Sequence, residues 1–162
     1  MLKIQERGWR RLVPSPRPKK IVEIETIETL FKTGIVPIAA GGGGIPVIEE
    51  EGRLEGVDAV IDKDLSAGLL ARELGIKRFV ILTDVDGVYL DWGTGESQRL
   101  TSLTVEEARK HLLGGQFPPG SMGPKIEAAV RFIGSGGQDV IIAKPEDLLS
   151  AMNGGAGTRI IP

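Results

Sequence analysis

An α/β sandwich on a largely parallel sheet is the fold this sequence predicts, and three observations predict it. Strand-like and helix-like stretches alternate along the chain, as in proteins whose helices cover a parallel sheet. The run Arg78-Phe-Val-Ile-Leu-Thr83 is almost wholly apolar or β-branched, which suits a central strand covered on both faces. It ends in Asp84-Val-Asp86-Gly87, so a polar cluster falls where open α/β sheets bind ligands, at the strand's C-terminal end. The 162 residues, 41% of them hydrophobic, suffice for one domain with a real core.

Residues 1–18 read as an extended N-terminal arm, since Pro14, Pro16 and Pro18 forbid a helix. Trp9 beside Arg10 and Arg11 suggests an arm that packs on something. Residues 19–162 read as the α/β domain. Within it, Lys20–Ile24 is expected to form a short strand, and Glu25–Thr33 a helix with Ile27, Leu30 and Phe31 on one side, stopped by Gly34. A second strand is expected over Ile35–Ala40, running into Gly41-Gly-Gly-Gly44. Val47-Ile48 and Arg53-Leu54 flank a hairpin turn, and Gly56–Ile61 reads as a further strand. Asp64 is placed to cap a helix that buries Leu65, Leu69, Leu70 and Leu74. After the Arg78–Thr83 strand, Val88–Leu90 and Gln98–Leu100 form a second hairpin. Thr104 with Glu107 is a capping-box pattern opening a helix to Leu113. A loop over Gly114–Gly123 precedes a helix carrying Ile126, Ala129, Val130 and Ile133. A strand over Asp139–Ala143, a short helix over Pro145–Met152 and a last strand over Gly157–Ile161 complete the chain.

Composition excludes several functions. Twenty basic against 22 acidic residues give a net charge of −2, without the basic excess that nucleic acid calls for. With no cysteine there is no disulfide, thiolate nucleophile or thiolate metal site, which fits a cytoplasmic location. No leading apolar segment and no run approaching ~18 apolar residues point to a signal peptide or membrane span. Gly41–Pro46 ends in Ile-Pro where a Walker A loop needs Lys-Ser/Thr, and it matches the dinucleotide-binding glycine pattern only in part. The single histidine, His111, sits in a charged helix and reads as a surface residue. No metal-ligand spacing is present. What stands out is glycine, 23 residues in clusters, and Gly120-Ser-Met-Gly-Pro-Lys125 at a helix start, where anions are favoured. Strand end, glycines and lysine together suggest a phosphate-handling site.

Five stretches carry a resemblance: Gly8-Trp-Arg-Arg-Leu-Val-Pro-Ser-Pro16, Ala40-Gly-Gly-Gly-Gly-Ile-Pro-Val47, Ala59-Val-Ile-Asp-Lys-Asp64, Leu82-Thr-Asp-Val-Asp-Gly-Val-Tyr89 and Gly120–Lys125. In order and in content they resemble the C-terminal half of the carbamate kinase branch of the amino acid kinase family. The resemblance implies a three-layer sandwich, incomplete on its N-terminal side, that binds ATP or ADP with Mg²⁺, the metal held mainly by the phosphates. It implies phosphoryl transfer between nucleotide and carbamate or carbamoyl phosphate. Lys63 and Lys125 match the family's phosphate-contacting lysines and Asp64 the aspartate that organises them. Thr83, Asp84, Val85, Tyr89, Met122 and Gly123 would line the nucleotide, and Gly41, Gly42, Gly43 and Gly44 would bring backbone N–H groups to the transferred phosphate. No protein metal ligands are implied.

Taken singly, these residues have plainer readings. Asp62 and Asp64 can be helix caps, Lys63 a solvated charge, Lys125 a surface lysine that can be removed without harm to the fold, and Gly41–Gly44 a turn. Family members are about twice as long, and the missing half carries much of the carbamate site. The expectation is therefore a nucleotide-binding half that is weakly active or inactive alone, or else a binding module or inactive remnant. A separate N-terminal chain or a homo-oligomer is the expected partner, because a sheet cut this way exposes strand edges and apolar surface.

Overall fold

The computed structural model describes the backbone of Leu2–Ile4 and Gly8–Arg10 and every residue of 11–162. The side chains of Trp9 and Arg10 therefore lie outside the described residues. β1 (Leu2–Ile4) and β2 (Gly8–Arg10) pair antiparallel. The proline-rich stretch after them forms neither helix nor strand and is tied down at several points. Arg11 pairs with Asp58, the Pro14 carbonyl accepts the Val60 N–H, and Arg17 donates to Glu127 at 2.6 Å.

The main sheet has four strands in the order β5 (Arg78–Leu82), β9 (Asp139–Ala143), β10 (Thr158–Ile161) and β8 (Ser102–Thr104). The β5–β9 and β10–β8 ladders are parallel and β9–β10 is antiparallel. Side chains alternate across the pleat, so β9 serves two cores at once. Val140 and Ile142 face the larger one, with Phe79, Ile81, Leu103 and Ile160. Against them pack α2 (Lys63–Glu73), α3 (Val105–Leu113) and α4 (Met122–Gly134), bringing Ala71, Ala108, Ile126, Ala129 and Phe132. Ile141 and Ala143 face the other way, onto Ala151 of α5 (Leu148–Met152). The α/β sandwich is thus present, with helices on both faces of the sheet.

The strand covered on both faces is β9, all five residues of which are buried. The Arg78–Thr83 run, expected in that role, is instead the sheet's edge, with Leu82 42% exposed. An apolar sequence suits a central strand, but centrality needs a neighbour on each side, and among the described residues β5 has one. For the same reason the strands expected over Lys20–Ile24, Ile35–Ala40 and Gly56–Ile61 do not form as read. β-structure is made by pairing, and among the described residues these stretches as read have no ladder to join. Residue 24 instead opens α1 (Ile24–Lys32), which buries none of its side chains.

Both expected hairpins are present, as β3 (Val47–Glu50) with β4 (Arg53–Gly56) and β6 (Val88–Leu90) with β7 (Gln98–Leu100). The capping box of α3 closes with both of its hydrogen bonds, between Thr104 and Glu107. In α2 the cap is Asp62, not Asp64: its Oδ1 accepts the N–H groups of Asp64 at 2.8 Å and Leu65 at 3.3 Å. The leucine stripe expected there is replaced by a narrower one. Leu69 is buried with Ser66, Gly68 and Ala71, whereas Leu65, Leu70 and Leu74 are half-buried. Small residues let α2 lie close on α4, where a Cβ on Gly68 would stand 3.5 Å from that of Ala128.

Candidate functional site

Because α2 leads into β5 and α4 into β9 through short turns, each helix runs back along the sheet from the strand ends. The first turns of α2 and α4 therefore meet at the C-terminal edge of the parallel pair. With the cap supplied by Asp62, the Asp64 carboxylate is released from the helix end and turns inward. There its Oδ2 accepts from Lys125 Nζ at 2.8 Å and from Lys63 Nζ at 3.1 Å. Asp64 and Lys125 are each 7% exposed. Lys63 is the outer member, its side chain 56% exposed. Burial alone pulls the Lys63 ammonium down, but the hydrogen bond and charge of Asp64 outweigh it and leave its pKa above the ordinary value.

One carboxylate holds two ammonium groups, and the Asp62 carboxylate at the cap of α2 balances the second of them, so what the cluster offers an anion is unspent donors. Each lysine has three donors and spends one on Asp64. The side chain of Ser121 does not cap α4, so the positive end of that helix adds to the field. The arrangement suits an anion approaching from the strand-end side.

The glycine turn lies against the same place. Gly43 has φ +127°, and a Cβ there would fall 1.9 Å from the Ile61 carbonyl oxygen, so no other residue fits without moving the chain. Its carbonyl accepts from Ser66 Oγ at 2.7 Å, and its N–H closes a turn onto Ala40 at 2.7 Å. Gly41, Gly42 and Gly44 are exposed. Ser66 thus pins the turn to α2 three residues beyond Lys63. It was missed in the sequence, where a serine among small helical residues carries no signal.

A second group gathers at the end of β5. The Thr83 N–H is held by the Ala143 carbonyl at 2.9 Å, and Thr83 Oγ1 donates to Asp84 at 3.1 Å. Tyr89 donates to Asp86 at 2.9 Å, and its ring meets Trp92 edge-on with centroids 4.8 Å apart. Trp92 is otherwise exposed. Val85 is half-buried. Arg99, which no sequence pattern marks, fastens this loop to the sheet through the carbonyls of Asp86 at 3.0 Å and Gly157 at 3.3 Å. Thr158 accepts the Val88 N–H at 2.8 Å beside Gly87, where a Cβ would come within 2.8 Å of the threonine oxygen. Met122 is half-buried and Gly123 buried at the head of α4.

The structure therefore brings Lys63, Asp64, Lys125 and Gly43 together, and assembles Thr83, Asp84, Val85 and Tyr89 separately, with no hydrogen bond between the two groups among the described residues. His111 is half-buried beside Phe117, with ring centroids 6.4 Å apart. Among the described residues no group of three or more acidic or histidine side chains is placed to hold a metal ion, and no helix is long and apolar enough to cross a membrane.

Comparison with known proteins gives this geometry a context. The amino acid kinase family matches residues 2–144. The chain is 51% identical to a carbamate kinase of Halobacterium salinarum over 155 residues, 96% of this chain and 50% of that protein. It is 53% identical to a carbamate kinase of Pyrococcus furiosus over 156 residues, again 96% of this chain and 50% of that protein. Among solved structures it resembles a carbamate kinase from Giardia lamblia bound to AMP-PNP, with a TM-score of 0.92 and 41% identity over 99% of this chain and 51% of that one. The chain spans about half the length of the curated relatives it matches. With the family match covering most of its length, this chain belongs to the amino acid kinase family.

Proposed function

We propose that this chain is the nucleotide-binding half of a carbamate kinase-like phosphotransferase, with residues 19–162 as the binding domain. The observation that carries the proposal is the Lys63–Asp64–Lys125 cluster, two ammonium groups on one buried carboxylate oxygen beside the Gly41–Gly44 turn. Phosphoryl transfer asks a protein mainly for positioning and for positive charge on the moving oxygens. Lys125 supplies a charge fixed by burial, and Lys63 one that is exposed and able to follow the phosphoryl group. In the physiological direction an ADP β-phosphate oxygen forms a bond to the phosphorus of carbamoyl phosphate. The bond from phosphorus to the carbamoyl oxygen breaks, and ATP and carbamate leave.

Thr83, Asp84, Val85, Tyr89, Met122 and Gly123 would receive the nucleoside end. The lysine cluster fits a polyphosphate, and Mg²⁺ would ride on the phosphates and neutralise part of their charge. The structure of a similar carbamate kinase with AMP-PNP bound favours a nucleotide over other phosphate esters. Carbamate or carbamoyl phosphate, a companion chain, a place in arginine metabolism and a cytoplasmic location belong to the same reading.

Calorimetric titration with ADP and Mg²⁺ tests it. Binding is expected, and Lys63→Ala, at an exposed side chain, is expected to weaken it by about 1.5–3 kcal/mol with melting unchanged. Absence of heat and of any thermal shift at millimolar nucleotide would reduce the chain to a remnant.

A further inference from the structure

Helix α4 works on two faces. Its inner face carries Lys125 to Asp64, and its outer face lines a surface groove of about 740 Å³ that reaches from Gly120 to Ser135. Of the residues proposed for the nucleotide, only Gly123 borders this groove. Leu112 and Leu113 of α3, with Phe117 and Val130, make its apolar part. Leu113 belongs to neither core cluster and is 82% exposed.

The charge of the groove opposes that of the chain. The whole sequence has a net charge of −2, whereas Arg17, Arg72, Arg109 and Arg131 line the groove with Glu127 as the one acid among them. Glu127 Oε1 accepts from Nε of Arg17 at 2.6 Å and from Nε of Arg131 at 2.9 Å. This leaves the terminal nitrogens of both guanidinium groups free of hydrogen bonds among the described residues. Their side chains are 66% and 55% exposed, so those donors are open to a ligand. Arg109 is exposed and pairs with no acid among the described residues. A guanidinium with free terminal nitrogens takes a carboxylate in a fork, two hydrogen bonds at a time.

We propose that the groove is a docking site for an extended acidic segment of a partner protein. Its carboxylates would lie on Arg17, Arg109 and Arg131, and its apolar side chains against Leu113 and Val130. Length favours a peptide over a small anion. The 13 residues of α4 make it ~20 Å long, a span that about six residues of extended chain would cover. Small-molecule sites enclose most of their ligand, but here the arginines and Leu113 stand in solvent, and a small anion would stay largely hydrated. An extended segment alternates its side chains, so acidic and apolar residues in turn would meet the arginines and the leucines separately. A longer polyanion such as nucleic acid is disfavoured by the net charge of the chain. This goes beyond phosphoryl transfer and does not depend on it.

The probe is a fluorescein-labelled peptide of that length, alternating glutamate and leucine, titrated with the chain and followed by fluorescence anisotropy. Binding is expected. Glutamate–serine and lysine–leucine peptides should bind at least ~10-fold more weakly, because the groove asks for charge and apolar contact together. Arg109→Glu is expected to weaken the acidic peptide at least ~10-fold, and Leu113→Ser to weaken it as well, while both variants melt like the parent. Arg53→Glu, at an exposed arginine on the β3–β4 hairpin, should bind the peptide normally. No binding, equal binding of the three peptides, or equal losses in Arg109→Glu and Arg53→Glu would overturn the proposal. Displacement of the peptide by an equal concentration of succinate or inorganic phosphate would make the groove a small-anion site. Peptide binding that weakens as the chain self-associates would make it an interface between copies. Either of these outcomes also overturns the proposal.

Discussion

At the scale of single residues, the site turns on which aspartate does which task. Read as sequence, Asp62-Lys63-Asp64 offers two equivalent caps. The structure divides them: Asp62 caps α2, and Asp64, freed, becomes the buried bridge between two lysines. Lys125 changes standing for the same reason. Its place at a helix start suggested a residue removable without harm to the fold, but at 7% exposure it is half of a buried ion pair. Breaking one partner of such a pair strands the other, at a cost of about 3–5 kcal/mol. Lys63 still reaches Asp64, which places Lys125→Ala toward the lower end. Replacing both partners, Asp64→Asn with Lys125→Met, removes the stranded charge and should recover most of the stability but none of the nucleotide affinity. Chemical denaturation paired with ADP titration reads both. Parent-like denaturation of Lys125→Ala would show that the pair carries no structural energy.

At the scale of elements, local patterns were legible and pairing was not. The α3 capping box, both hairpins, and the strands over Asp139–Ala143 and Thr158–Ile161 follow from short-range chemistry that the chain carries within itself. The strands expected over Ile35–Ala40 and Gly56–Ile61 depend on a neighbour, and apolar composition cannot say whether one is there. Ser66 and Arg99 were hidden because each acts on a segment far along the chain, at Gly43 and at Gly157. The proline-rich arm shows a long-range tie of another kind, since Glu127 of α4 accepts from Arg17 and, at 2.9 Å, from Arg131. Burial pushes the Glu127 carboxyl up, but the two arginines outweigh it and hold its pKa below the usual 4.5. A depressed carboxylate adds stability that is complete above the unfolded value and lost as pH falls through the folded one. The arm's tie to α4 is therefore full at neutral pH and fades below that usual value. Both arginines are more than half exposed, so the tie is worth less than about 1 kcal/mol. Thermal melts at stepped pH should show the parent losing this margin in acid while Glu127→Gln lacks it throughout. Parallel pH profiles for the two proteins would remove Glu127 from the arm's anchorage.

At the scale of the whole molecule, one wall of the site is well made and the other is open. A surface groove along α4 is lined by Arg17, Arg109 and Arg131, and neither Lys63 nor Lys125 lines it. The lysine cluster instead lies beside the Gly41–Gly44 turn, and Ile38 and Ile45 on either side of that turn stand in solvent. Phosphoryl transfer gains much of its rate from holding donor and acceptor in line, and an acceptor held on one side only forfeits that gain. The isolated chain should accordingly bind ADP but form little or no ATP from carbamoyl phosphate. Fusion of the unmatched half of a full-length relative ahead of Met1 should restore turnover, since tethering makes the docking intramolecular. ATP formation is the assay. Lys63→Ala serves as the blank in both forms, because its exposed side chain can be removed without disturbing the core. Robust turnover by the isolated chain, absent from its Lys63→Ala blank, would mean that the open wall is not needed and that this half is a kinase in its own right. A silent fusion that still binds ADP would mean that the lysine cluster recognises nucleotide without serving its transfer.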